Sequence, residues 1–192
     1  MSDYGQSMMH AAQMDRHFNR IYVDLWNITI GDIINIDSRG AAGNGVAKSM
    51  DSADNIDKRL HTHEGTITLA QRVKAPYRGG ADFPIRVRSR KGNDTEYQLM
   101  YRQFKNDKID RPSYYAFGVA ASKDWPISYR EGFSEFYLID YDQLLTALFE
   151  LQMPPVGEFD HSSTTYNDQS KVRFYDTADL IDAECVVNIV DG

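Results

Sequence analysis

The sequence predicts an α/β fold, a mixed central β-sheet flanked by helices. Three observations carry that prediction: an amphipathic helix at the start, a β-hairpin near residue 60, and an alternation of strand-like and helix-like segments through the rest of the chain. That order is the signature of helices packed on the faces of a sheet. With 192 residues and 42% hydrophobic content, the chain is long enough for one well-buried core. A single domain over 1–192 is expected, with its core at about 7–153, a loop at 154–170 and a strand-helix-strand extension at 171–190.

From Ser7 to Trp26 the apolar residues Ala11, Met14, Phe18, Ile21, Tyr22 and Leu25 recur at three and four. This is the spacing of one helical face. Ile28 to Asp37 is β-prone but broken by Gly31-Asp32, and Ser38 to Asp54 is rich in Gly, Ala, Ser and Asn, the composition of a loop.

Asn55 to Lys74 reads as the hairpin, with Glu64-Gly65 as its turn. In that register Leu60 faces Leu69, Ile56 faces Val73 and Asp57 faces Arg72. One face is then largely aliphatic, and the other carries Asp57, Arg59, His61, Arg72 and Lys74.

A turn at Pro76 to Gly80 precedes a strand at Phe83 to Ser89, where Ile85 and Val87 alternate with Arg86 and Arg88. Tyr97, Met100, Tyr101 and Phe104 then sit at helical spacing behind a cap at Asp94 or Thr95. Tyr114 to Ala121 and Phe133 to Ile139 read as buried strands. Asp140 and Gln143 form a capping-box variant for a helix to about Met153, with Leu144, Leu145, Leu148 and Leu151 as its core face. The segment to Ser170 is long and polar, and Val172 to Tyr175, a helical turn from Asp176, and Val186 to Val190 close the chain.

Charge and cysteine content narrow the function classes. Twenty-one basic against 28 acidic residues give a formal charge of -7, against a surface coated in DNA-binding positive charge. A local basic patch nevertheless stands out, because Arg72, Lys74, Arg78, Arg86, Arg88 and Arg90 face Asp82 alone between 72 and 90. Cys185 is the only cysteine, which excludes an intrachain disulfide and a multi-cysteine zinc site and fits a reducing, cytoplasmic setting. No apolar run approaches the ~20 residues of a membrane span, and Met1 to Gln6 lacks the basic start and apolar core of a signal peptide. A virus-encoded protein, or a component of a homo-oligomer or larger assembly, fits the same observations.

The hairpin followed by strand, helix and strand resembles the core of the PD-(D/E)XK, or restriction-endonuclease-like, nuclease superfamily. More narrowly, ITLAQRVK at 67–74 is similar to the ITIQERFR-like motif of small members of that superfamily. Phe83 to Arg88, SYYAFGV, FYLIDYDQLL and YNDQSKVRFYDTADLI look like their later segments. The resemblance implies a restriction-endonuclease-like core and a divalent-metal-dependent nuclease acting on DNA, with Mg²⁺ or Mn²⁺ as cofactor. Asp57 would be the first metal-binding carboxylate, and Arg72 or Lys74 the basic group beside the scissile phosphate. The second acid's place falls on Ala70 or Arg72. Aligning the motifs puts Gln71 where the glutamate stands, an amide that offers only a carbonyl oxygen. Asp15 on the first helix and Glu96 on the second are the candidates to supply the missing metal ligand. Arg78, Arg86, Arg88 and Arg90 would contact nucleic acid. The alternative implied by the missing acid is a non-catalytic nucleic-acid-binding or structural protein of the same fold.

Other patterns carry less. His61 and His63 form a His-x-His pair, but His63 falls in the turn. GAAGNGVAKS, from Gly40 to Ser49, lacks the spacing of a phosphate loop. Tyr114, Tyr115 and Phe117 read as core, and Cys185, beside an apolar run, as buried.

Overall fold

The expected β-hairpin forms, and the residues at its base are covered on both faces. The computed structural model of the chain describes residues 3–36, 56–74, 82–88, 95–122, 130–162 and 169–191. The described elements run α1 (Asp3–Trp26), β1 (Ile33–Asn35), β2 (Lys58–Thr62), β3 (Gly65–Lys74), β4 (Phe83–Arg88), α2 (Glu96–Lys105), β5 (Tyr114–Ala120), β6 (Phe133–Asp140), α3 (Tyr141–Phe149), β7 (Gly157–Ser162), β8 (Gln169–Tyr175), α4 (Thr177–Asp182) and β9 (Val186–Asp191). Six strands form a mixed sheet in the order β1-β2-β3-β5-β6-β9, and β4-β8-β7 form a smaller one. In the larger sheet β3 and β5 are parallel, and every other pairing is antiparallel. The α/β expectation with a mixed sheet is met. No described helix is long and apolar enough to cross a membrane.

The helical periodicity explains α1. Met14, Phe18 and Tyr22, one turn apart, are fully buried against Leu60, Leu69, Ala116, Phe136 and Leu138 of the sheet. The opposite face is sealed by a second core in which Phe83 and Ile85 of β4 join Tyr115, Phe117, Met100, Leu144, Leu148, Tyr175 and Leu180. Phe83 meets Tyr115 and Phe117 edge-on, at 4.9 and 5.4 Å between ring centroids. β5 approaches β6 closely at Gly118, where a Cβ would lie 2.4 Å from the Phe133 ring. Thr95 caps α2 as expected, its hydroxyl accepting the Gln98 N–H, and Asp140 caps α3 by accepting the Gln143 N–H.

Three expectations need correction. The hairpin register is two residues from the expected one: Thr62 pairs with Gly65 and Leu60 with Ile67, so His63 and Glu64 make the turn. The physical reason is local. The Thr62 hydroxyl donates to the Gly65 carbonyl and accepts the Glu64 N–H, while Gly65, at φ 137°, takes a conformation closed to L side chains. A shift of two leaves every side chain on its expected face. Second, α3 ends at Phe149 rather than near Met153, with Gln152 at φ 55°, and Leu151 is exposed instead of filling the core. Third, the segment expected as a loop over 154–170 contains β7; the strand-helix-strand order expected after it is present, with β8 pairing with β4 and β9 lying beside β6 in the main sheet.

Candidate functional site

Alternation along β3 divides its polar residues between the two faces of the sheet: Gln71 points to α1 and its neighbour Arg72 to α2. On the α1 side, Lys58 of β2 is buried beneath the helix. Its ammonium meets the Asp15 carboxylate at 2.6 Å, donates to the Asn19 side-chain carbonyl at 3.1 Å and donates to the Asn35 side-chain carbonyl. Three acceptors satisfy its three hydrogens. The Gln71 amide donates to Asp15 at 3.0 Å and accepts from the Tyr22 hydroxyl at 3.1 Å. Burial first, then Asp15 and Asp57, push the Tyr22 phenol well above its ordinary range, so it stays protonated as that donor.

Asp57 sits where β1, β2 and β3 meet. Its carboxylate accepts the main-chain N–H of Gln71 at 2.7 Å, its own N–H donates to the Leu69 carbonyl, and its carbonyl accepts the Ile36 N–H. The side chain therefore extends the β2–β3 ladder where the strand pairing stops.

On the α2 side Glu96 is the hub. It pairs with Arg72 at 2.8 Å, accepts the Tyr115 hydroxyl at 2.5 Å and accepts the Arg86 main-chain N–H at 3.2 Å. Burial opposes the charge on Arg72, but Glu96, Tyr115 and Asp57 outweigh it and hold the guanidinium above its ordinary pKa. Burial raises the Tyr115 phenol, against the opposing pull of Arg72.

Lys74 leaves this group. It is buried, reaches the Asp82 carbonyl at 3.2 Å and lies over the Phe174 ring, and burial lowers its pKa against Asp82 and Glu135. Ala70, the position two before Arg72 on the same face, is buried in the core. Two arginines contrast with the acids: the Nε atoms of Arg59 and Arg86 are buried without a hydrogen-bond partner among the described residues.

The expected site residues are thus partly gathered and partly separated. Asp15, Gln71 and Asp57 converge on one another, as do Arg72, Glu96 and the Arg86 backbone, but Asp15 and Glu96 lie on opposite faces of the sheet. A divalent cation needs several oxygens with free lone pairs directed at one point. Here Asp15 and Glu96 are each matched to a buried or half-buried cation, and among the described residues no group of three His, Cys, Asp or Glu side chains is placed to hold a metal ion. Among the described residues, the expected ligands do not fit Mg²⁺ or Mn²⁺. His61 is exposed beside Thr66 and His63 is an exposed turn residue. Tyr115 and Phe117 are core, as expected. Arg78, Arg90 and the 40–49 segment lie outside the described residues, and of Arg88 only the strand position is described.

Lys58 is a candidate functional-site residue that was not among those expected. Its signal was present, since it shares strand parity with Ile56 and Leu60 and is therefore a cation on the aliphatic face. Comparison with protein-family models, curated proteins and solved structures finds no match to this chain.

Proposed function

We propose that this chain is a non-catalytic nucleic-acid-binding protein built on a restriction-endonuclease-like core. The element order expected from the resemblance is present as β2–β3, β4, α2 and β5, although β4 pairs in the smaller sheet. One observation carries the functional half of the proposal. Asp15, Asp57 and Glu96 are spent on internal partners, whereas the half-buried guanidinium groups of Arg59 and Arg86 are in no ion pair among the described residues. A fold that pairs these three acids internally and leaves arginine charge unpaired is suited to an anion, and a phosphate backbone supplies anions in series.

The test is a mobility-shift titration of labelled duplex DNA at several salt concentrations, with Mn²⁺ present so that cleavage is scored in the same lanes. Wild type binds without cutting, its affinity falls with salt, and Arg59→Ala and Arg86→Ala each lower the salt slope by about one. Metal-dependent cutting, or binding indifferent to both substitutions, overturns the proposal. Absence of any DNA affinity leaves the fold with an assembly role instead.

A further inference from the structure

A groove of about 400 Å³ opens between α2, the end of α3 and β8, away from the hairpin network. Tyr97, Tyr101, Phe149, Tyr175 and Arg173 line it. Tyr97 and Tyr101 meet Phe149 edge-on, at 5.1 and 5.3 Å between ring centroids. Each tyrosine also carries a cation, with Arg173 5.3 Å from the Tyr97 centroid and Lys105 5.6 Å from that of Tyr101. Arg102 joins Tyr97 and Tyr101 in the adjoining hollow. Glu158 is shared between Arg173 and Lys171. Tyr101 is 47% exposed, so part of its ring is open to solvent.

An exposed ring flanked by arginine and lysine is what a single strand needs: the ring offers a π-face to an unpaired base, and the cations follow the phosphates on either side. A cationic ligand is disfavoured by Arg173, Lys105 and Arg102, and a duplex keeps its bases stacked on each other and out of reach of the rings. We infer that this groove stacks the bases of a single-stranded polynucleotide. The inference rests on the nucleic-acid reading above and adds its substrate form and a second contact surface.

The test is fluorescence anisotropy of the full chain with labelled oligothymidylate and oligouridylate of about 16 nucleotides, and with a duplex of the same length. Tyr101→Ala weakens single-strand binding by about tenfold while duplex binding is unchanged, and Tyr101→Phe, which keeps the ring, binds as wild type. The two oligonucleotides distinguish a DNA strand from an RNA strand as the preferred source. Single-strand binding that survives Tyr101→Ala, with duplex binding intact, overturns this inference alone. A wild-type chain that binds no polynucleotide removes it together with the reading on which it rests.

Discussion

The two ion pairs that flank the hairpin are built in opposite senses. On the α1 side the cation is the buried partner: the Lys58 side chain is 3% exposed and Asp15 28%. On the α2 side the acid is buried, with Glu96 at 6% and Arg72 at 29%. In each pair the more exposed member reaches water and tolerates loss of its partner, while the buried member does not. The hairpin is thus held from above by a sequestered ammonium and from below by a sequestered carboxylate, and both are satisfied by neutral hydrogen bonds as well as by the opposite charge.

The largest effect follows from stranding the buried lysine. Asp15→Ala leaves Lys58 with amide oxygens alone and also removes the acceptor of Gln71, so it is expected to cost about 3–5 kcal/mol in chemical denaturation. Lys58→Met is expected to cost markedly less, because Asp15 then turns to solvent. Equal costs would show that burial does not set the asymmetry.

On the other face the order of sensitivity reverses. Arg72→Met strands Glu96, which keeps the Tyr115 hydroxyl and the Arg86 N–H, so the loss is moderated to about 2–3 kcal/mol. Glu96→Gln costs about 1 kcal/mol, since the half-buried Arg72 stays solvated. If Glu96→Gln proved the more damaging, the comparison between the faces would fail.

A smaller effect belongs to a neutral group in the α2-side core. Burial, and then Asp140, push the Cys185 thiol up to about 11 from 9.0. A folded pKa above the unfolded one gives stability that is complete below pH 9 and is lost as pH rises towards 11. The Tyr22 and Tyr115 phenols, also raised, act in the same direction. Thermal unfolding of Cys185→Ala should therefore decline less steeply over this alkaline range than that of wild type. Parallel declines would remove Cys185 as a contributor.

How far the sequence could be read follows from the range of the interactions involved. The α1 stripe, the Thr95 and Asp140 caps and the alternation of β3 are local, and each was legible in neighbouring residues. The hairpin turn is also local, but its register depended on the Thr62 hydroxyl and the Gly65 φ, which outweigh the appeal of a Glu-Gly turn. β7, a polar GEFDHS, has little apolar alternation, and its strand character comes from pairing with β8. At the site, the faces of Gln71 and Arg72 were legible from period two. What each face meets was not: Asp15 comes from 56 residues before Gln71, and the aromatic groove joins α2 to the end of α3 and to β8.

The claim that the hairpin acids are structural is tested most directly by thermal unfolding with and without saturating Mn²⁺, in wild type and in Asp57→Asn. A metal that binds the folded state raises its Tm by mass action. The Tm of wild type is expected to stay unchanged by Mn²⁺, with Asp57→Asn shifting it equally in both conditions. A rise on adding Mn²⁺ that disappears in Asp57→Asn would contradict the account, because Asp57 would then be a metal ligand rather than the extension of a strand.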